Sequence, residues 1–290
     1  MIKKVLVTGG AGFVGSNLCK ELNKRGIITH SLDNYFTGRE ENHIDGVKYI
    51  NASVQEINEI KLDQDYSHVF HLGEYSRVEQ SFDDIDLVFE YNHNSIYSIL
   101  NFVRSINAKI IYSGSSTKFG DGGLNPLESP YAWTKKTNSE LVKVFSEWNS
   151  IDYAITYFYN AYGENEISTG DYSTLIGKYV NLFKSGSNSL PVVMPGTQVR
   201  NFTHISDIVS GLITVGEKGM GDGYGIGSDE SYSIIEVAKM FCMEIEYLPE
   251  RKGNRMTADI KNKKTKELGW KPHRNLKNFI NDAIKENERL

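Results

Sequence analysis

A tyrosine and a lysine stand four positions apart in "SPYAWTKKTNSE", residues 129–140, directly after a proline. In a helix, residues i and i+4 lie one turn apart on one face, so Tyr131 and Lys135 would be neighbours. A phenol is a poor base at neutral pH, its reference pKa being ~10, and an adjacent ammonium favours the phenolate. A hydroxyl nearby could hold a substrate oxygen while its proton is transferred. "IIYSGSSTKFG" supplies Ser113, Ser115 and Ser116 at a strand end shortly upstream. Alone, Y-x-x-x-K also arises by chance on solvated helices, so its surroundings decide.

Those surroundings begin at the N-terminus. "VTGGAGFVG" follows a short apolar run and opens an amphipathic stretch. It satisfies G-x-G-x-x-G through Gly10, Gly12 and Gly15, and G-x-x-G-x-x-G through Gly9, Gly12 and Gly15. Glycines let such a turn approach a pyrophosphate, and the helix start, with Phe13 and Val14, offers free N–H groups. Asp33 ends the next predicted strand, where the ribose hydroxyls of a dinucleotide would lie and a 2′-phosphate would be repelled. Asn34, Tyr35 and Phe36 follow, with no arginine to receive that phosphate, so NAD is expected rather than NADP.

The elements that must position these residues are short β-branched runs alternating with amphipathic stretches. "KKVLVTG", "IITHSLD", "VKYINAS", "HVFHLG", "KIIYSGSS" and "YAITYFYNAYG" read as strands. "GFVGSNLCKELNKRG", "DDIDLVFEYNHNSIYSILNFVRSIN" and "SPYAWTKKTNSELVKVFSEW" read as helices, the first closed by Gly26. The predicted fold class is α/β: a Rossmann-type, doubly wound parallel sheet with a smaller C-terminal lobe. The expected division is 1–164 for the NAD-binding domain, with a returning segment near 204–227. Residues 165–203 and 228–290, looser and rich in Gly/Ser turns, would form the substrate-binding lobe.

Composition narrows the alternatives. With 290 residues and a net charge of −5, a sequence-independent grip on nucleic acid or an anionic membrane is not expected. No stretch approaches the ~20 apolar residues of a membrane span. Cys19 and Cys242 form no disulfide framework, which fits a reducing, cytoplasmic setting. No metal-binding spacing occurs, and His68 and His71, in an apolar strand, read as packing or hydrogen-bonding residues.

The ordered set "TGGAGFVGSNL", "DNYFTGREEN", "VFHLG", "YSGSSTKFG", "YAWTKK", "YNAYG", "VRNFTHISDIV" and "KELGWKP" resembles one family over nearly the whole chain. That family is the extended short-chain dehydrogenase/reductases, specifically their nucleotide-sugar epimerase/dehydratase group of the UDP-glucose 4-epimerase type. The resemblance implies an NAD-dependent enzyme acting on a nucleotide-diphosphate sugar, and often a homodimer built on the helices near 84–106 and 131–149. By it, Tyr131 is the general acid/base, Lys135 lowers its pKa and holds the nicotinamide ribose, and Ser115 is the catalytic Ser/Thr. Asn92, Leu72 and Tyr157 would join the cofactor site. Asn160, Arg200, Arg251 and Ser116 would contact substrate, the arginines clamping its diphosphate.

The sequence also departs from the family pattern. Tyr157 stands where arginine is frequent, and Asn201 and Asn254 replace aspartates. Gly73 and Glu74 follow "FHL" where paired alanines are usual, which brings an unexpected carboxylate near the cofactor. The resemblance implies epimerisation at C4 through a transient 4-keto sugar. A 4,6-dehydratase, a ketosugar reductase and a catalytically silent cofactor sensor stay open as alternatives.

Overall fold

The computed structural model describes residues 2–119, 129–250, 256–257 and 259–287. Strands β1 (Lys4–Thr8), β2 (Ile28–Asp33), β3 (Lys48–Asn51), β4 (His68–His71), β5 (Lys109–Ser115) and β6 (Tyr153–Phe158) alternate with helices. The helices are α1 (Phe13–Lys24), α2 (Ile85–Val88), α3 (Ser95–Ile106) and α4 (Pro130–Asn149). Further along come β7 (Ala161–Tyr162), α5 (Leu175–Lys184), β8 (Ser189–Val193), β9 (Val199–Asn201) and β10 (Thr203–His204). The last elements are α6 (Ile205–Lys218), β11 (Gly221–Ile226), β12 (Ser231–Ser233), α7 (Ile234–Lys239), β13 (Glu244–Leu248), α8 (Lys263–Glu267) and α9 (Leu276–Asn287).

Seven strands make one sheet in the order β11-β6-β5-β4-β1-β2-β3, every pair parallel. This is the doubly wound arrangement expected from the sequence, and the chain re-enters it through α6 and β11. Alternation along β1 explains the layering: Leu6 joins the core under α3 and α4, whereas Val5 and Val7 join the core under α1 and α6. A separate core, including Tyr179, Leu190, Phe202, Val237 and Ile280, lies among the elements after β6. There β8 pairs with β13, β9 with β12 and β7 with β10, so short strands accompany the helices expected in this region. Among the described residues, no helix is long and apolar enough to cross a membrane.

Two predicted elements are interrupted. The long helix expected from Asp83 becomes α2, a π-helical turn over Phe89–Asn94, and then α3. The strand expected through "YAITYFYNAYG" stops at Phe158, because Asn160 turns the chain with φ 26° before β7.

Candidate active site

The winding direction reverses between β1 and β4, which opens a crevice beyond their C-terminal ends. A cavity of about 990 Å³ occupies it and extends into the second lobe. Its floor is the glycine turn. Gly9 adopts φ 71°, and a Cβ there would lie 2.9 Å from the Gly73 backbone. A Cβ on Gly15 would lie 2.0 Å from the Gly9 carbonyl oxygen, so α1 can pack this closely only with glycine. Helix α1 starts at Gly12 without a side-chain cap and with no acid in its first turn. Its first N–H groups therefore remain available to an anion, and Gly12, Phe13, Val14 and Gly15 line the cavity.

Asp33, at the end of β2, also lines the cavity and is 7% exposed. Its two carboxylate oxygens accept from the backbone N–H groups of Ala11 (2.9 Å) and Tyr35 (2.8 Å). Burial pushes its pKa up while these N–H groups pull it down, and the net direction is upward. Each oxygen keeps lone pairs for ribose hydroxyls. The glycine floor, the uncapped helix start and this carboxylate together fit a dinucleotide such as NAD. Asn34, Leu72 and Ser113 line the same cavity.

Opposite the turn, Ser129 caps α4 by accepting from Ala132 N–H at 3.1 Å, and Pro130 occupies the first helical position. This start sets the rotation of α4, so Tyr131 and Lys135 both face the cavity. Ser115, at the end of β5, accepts at its Oγ from Thr117 N–H (3.2 Å) and Thr117 Oγ1 (3.0 Å). The Ser115 O–H is thereby left to donate into the cavity. Ser116, Asn160 and Arg200 line it too, whereas Arg251 lies outside the described residues.

Two expected cofactor residues do not reach the cavity. Tyr157 is wholly buried, and its hydroxyl donates to Asp222 at 2.6 Å and accepts from Lys118 at 3.2 Å. Its neighbour Phe158 points to the other face of β6 and lines the cavity instead. Asn92, also wholly buried, accepts from Tyr75 N–H at 2.6 Å and donates to the Tyr75 carbonyl at 3.2 Å. It fixes the loop after β4 from behind.

That loop carries the feature the motifs did not foresee. Lys135 Nζ lies 2.5 Å from Glu74 Oε2 and donates to the Ser113 carbonyl at 2.7 Å, with side-chain exposures of 5% for the lysine and 1% for the glutamate. Glu74 also accepts from Tyr112 OH (2.9 Å) and Asn138 Nδ2 (3.1 Å). His71 Nε2 stands 3.4 Å from Glu74 Oε1. Because Thr8 Oγ1 accepts from the Leu72 and Gly73 N–H groups, its proton goes to His71 Nδ1. That assignment puts the remaining ring proton on Nε2, which makes no hydrogen bond although Glu74 Oε1 is 3.4 Å away. Burial would raise the Glu74 pKa, but the charge of Lys135, with His71 and the hydrogen bonds, outweighs it and holds the carboxyl below its ordinary range. Glu74 does line the cavity, as expected of a carboxylate near the cofactor, but its hydrogen bonds go to protein groups. The sequence did hold a signal: Tyr131, Lys135 and Asn138 follow i, i+4, i+7 spacing on one helical face.

A glycine-turn crevice with a buried ribose-side carboxylate and a Ser-Tyr-Lys set across from it defines a nicotinamide-dependent enzyme of the doubly wound class. The NAD dependent epimerase/dehydratase family matches residues 5–227, and the chain belongs to that family. A putative UDP-glucose 4-epimerase of Methanocaldococcus jannaschii is 28% identical, with 97% of each chain covered. UDP-glucuronic acid decarboxylase 1 of Danio rerio is 25% identical over 97% of this chain and 72% of its own. The fold matches that of Thermotoga maritima UDP-glucose 4-epimerase, solved with UDP-glucose, with a TM-score of 0.90, 21% identity and 99% of both chains covered. NAD is the cofactor of the family, and several solved neighbours of this fold hold it.

Proposed function

We propose that the enzyme epimerises a nucleotide-diphosphate sugar at C4 through a transient 4-keto sugar. The relatives named above make a UDP-sugar the first substrate to try. NAD, when bound on the glycine turn, supplies reversible oxidation and reduction. Tyr131 removes the proton of the sugar hydroxyl and returns it when the hydroxyl is restored. The Ser115 O–H donates to that oxygen and fixes it beside Tyr131. Lys135 offers its third N–H to the ribose and phenol side, its other two being committed to Glu74 and Ser113. Arg200 and Asn160 face the diphosphate.

The observation that carries this reading is the absence of carboxyl groups from the two positions after Ser115. Ser116 and Thr117 stand there, and Thr117 is spent on Ser115 itself. Eliminating water from the sugar needs a proton donor and a base, and hydroxyls titrate too far from neutrality for that work. Glu74 is tied to Lys135 and Tyr112. The test is incubation with NAD and UDP-glucose or UDP-galactose, followed by NMR and mass spectrometry. Inversion at C4 with unchanged mass is expected. A product lighter by water or by carbon dioxide would overturn the assignment.

A further inference from the structure

We infer that Arg77 reads a negative charge on the glycosyl unit, so that the preferred sugar carries a carboxylate. The inference rests on the nucleotide-sugar reading above and deepens it.

Arg77 sits three residues after Glu74 and lines the cavity. Its Nε and Nη2 donate to the Tyr172 carbonyl at 2.8 and 2.6 Å. Its Nη1 donates to the Ser76 carbonyl and Ser76 Oγ, both at 3.1 Å. All of these acceptors are neutral, and no carboxylate among the described residues forms an ion pair with it. The acid whose field it feels, Glu166, is engaged elsewhere, accepting from Thr174 Oγ1 and Gly163 N–H. Burial also pushes the Glu166 pKa up to about 7, so near neutrality it supplies only part of a negative charge. Arg77 is half-buried, and a guanidinium cannot shed its charge by losing a proton, so a partly desolvated cation facing only neutral oxygens is stabilised by an anion. The cavity side is where that anion can come from.

Position selects the part of the ligand. Arg77 and Tyr131 line the same cavity, and Tyr172, whose carbonyl Arg77 holds, packs in one cluster with Tyr131 and Tyr75. Arg77 is therefore on the proton-transfer side, where the sugar ring lies, while Arg200 reaches the cavity from β9 in the other lobe. The four contacts to neutral oxygens leave one Nη2–H, and the pair to Ser76 is the longer and more displaceable. A carboxylate bridging Nη1 and Nη2 would use the planar fork that makes arginine selective for carboxylates.

Calorimetry on the NAD-saturated protein at neutral pH, with UDP-glucuronate and UDP-glucose, tests this. Both ligands carry the same diphosphate, so their Kd ratio isolates the carboxylate. The expected ratio is at least about tenfold in favour of UDP-glucuronate, the worth of one charge-assisted contact. In Arg77→Gln the ratio should fall to near one. Arg77→Lys, which keeps the charge and loses the fork, should fall between, and it serves if the Gln variant does not fold. A parent ratio within about twofold, or an unchanged ratio in the variants, overturns the inference, and equal weakening of both ligands would assign Arg77 to the Tyr172 segment alone. Selective binding of UDP-glucuronate without a stereoisomer product would instead overturn the epimerase reading and leave Arg77 in place. Epimerisation of UDP-glucose with a ratio near one would do the reverse.

Discussion

Replacing Glu74 with alanine strands the ammonium of Lys135 in a site where its side chain is 5% exposed and the Ser113 carbonyl is its remaining close acceptor. Removing one partner of a buried pair costs about 3–5 kcal/mol, because the other charge stays desolvated. For a chain of this size, at about 2 °C per kcal/mol, Tm should fall by about 6–10 °C. The cost should be partly recovered by adding Lys135→Met. In the double mutant no charge is stranded, so the two losses should sum to more than the measured effect. The pH dependence follows from the lowered pKa of Glu74. Its folded value lies below the unfolded ~4.3. The pair's contribution is thus fully present above that unfolded value and drains away as pH falls through the folded one. Parent and Glu74→Ala melts should differ by a constant amount from about pH 5 to 8 and converge progressively as pH falls from about 4 towards about 2. Thermal melts followed by circular dichroism, with the full double-mutant cycle, decide the matter. A Tm change under about 2 °C, or strict additivity with Lys135→Met, would show that the pair does not hold the site in this way.

Two further outcomes concern the chemistry. Asp33→Ala should weaken NAD binding by about 10–100-fold, as expected for losing hydrogen bonds to a charged acceptor, and should narrow the preference over NADP. Calorimetry with both cofactors checks this, and NADP binding the parent as tightly as NAD would refute the role given to Asp33. Tyr131→Phe should keep the fold and NAD affinity while turnover falls by about 10²–10⁴-fold. A variant within a few-fold of the parent would take Tyr131 out of the proton transfer.

The sequence carried the parallel sheet because its central strands β1, β4 and β5 are buried on both faces and lack the polar alternation of a half-exposed strand. It also carried the glycine turn and Asp33, since both rest on local backbone needs that only certain residues meet. Partner choice across elements was not legible. Glu74 and Lys135 are 61 positions apart in the chain, and their contact depends on how α4 lies over the ends of β4 and β5. Tyr157 misled for a related reason. A strand motif fixes which residues are near the site, but the face each one takes is set by the register of β6 against β5 and β11.

The interrupted helix shows why Asn92, expected at the cofactor site, does not line the cavity. A regular 3.6-residue period was expected from Asp83 to Asn107, and the π turn at Phe89–Asn94 breaks it. Such turns recur at functional sites because one inserted residue re-aims the side chains around it. Here Asn92 points to the Tyr75 backbone and bonds both its N–H and its carbonyl, while its Nδ2 reaches Thr134 on α4 at 3.1 Å. Asn138, one turn further along α4, donates to the Asn92 carbonyl at 3.0 Å and to Glu74 at 3.1 Å. The loop bearing Glu74, Tyr75 and Arg77 is thus bolted to the helix bearing Tyr131 and Lys135. The charges of Glu74 and Arg77 are thereby held at fixed places beside Tyr131 and Lys135, which lets the proposed proton transfer and the proposed reading of the sugar's charge share one cavity.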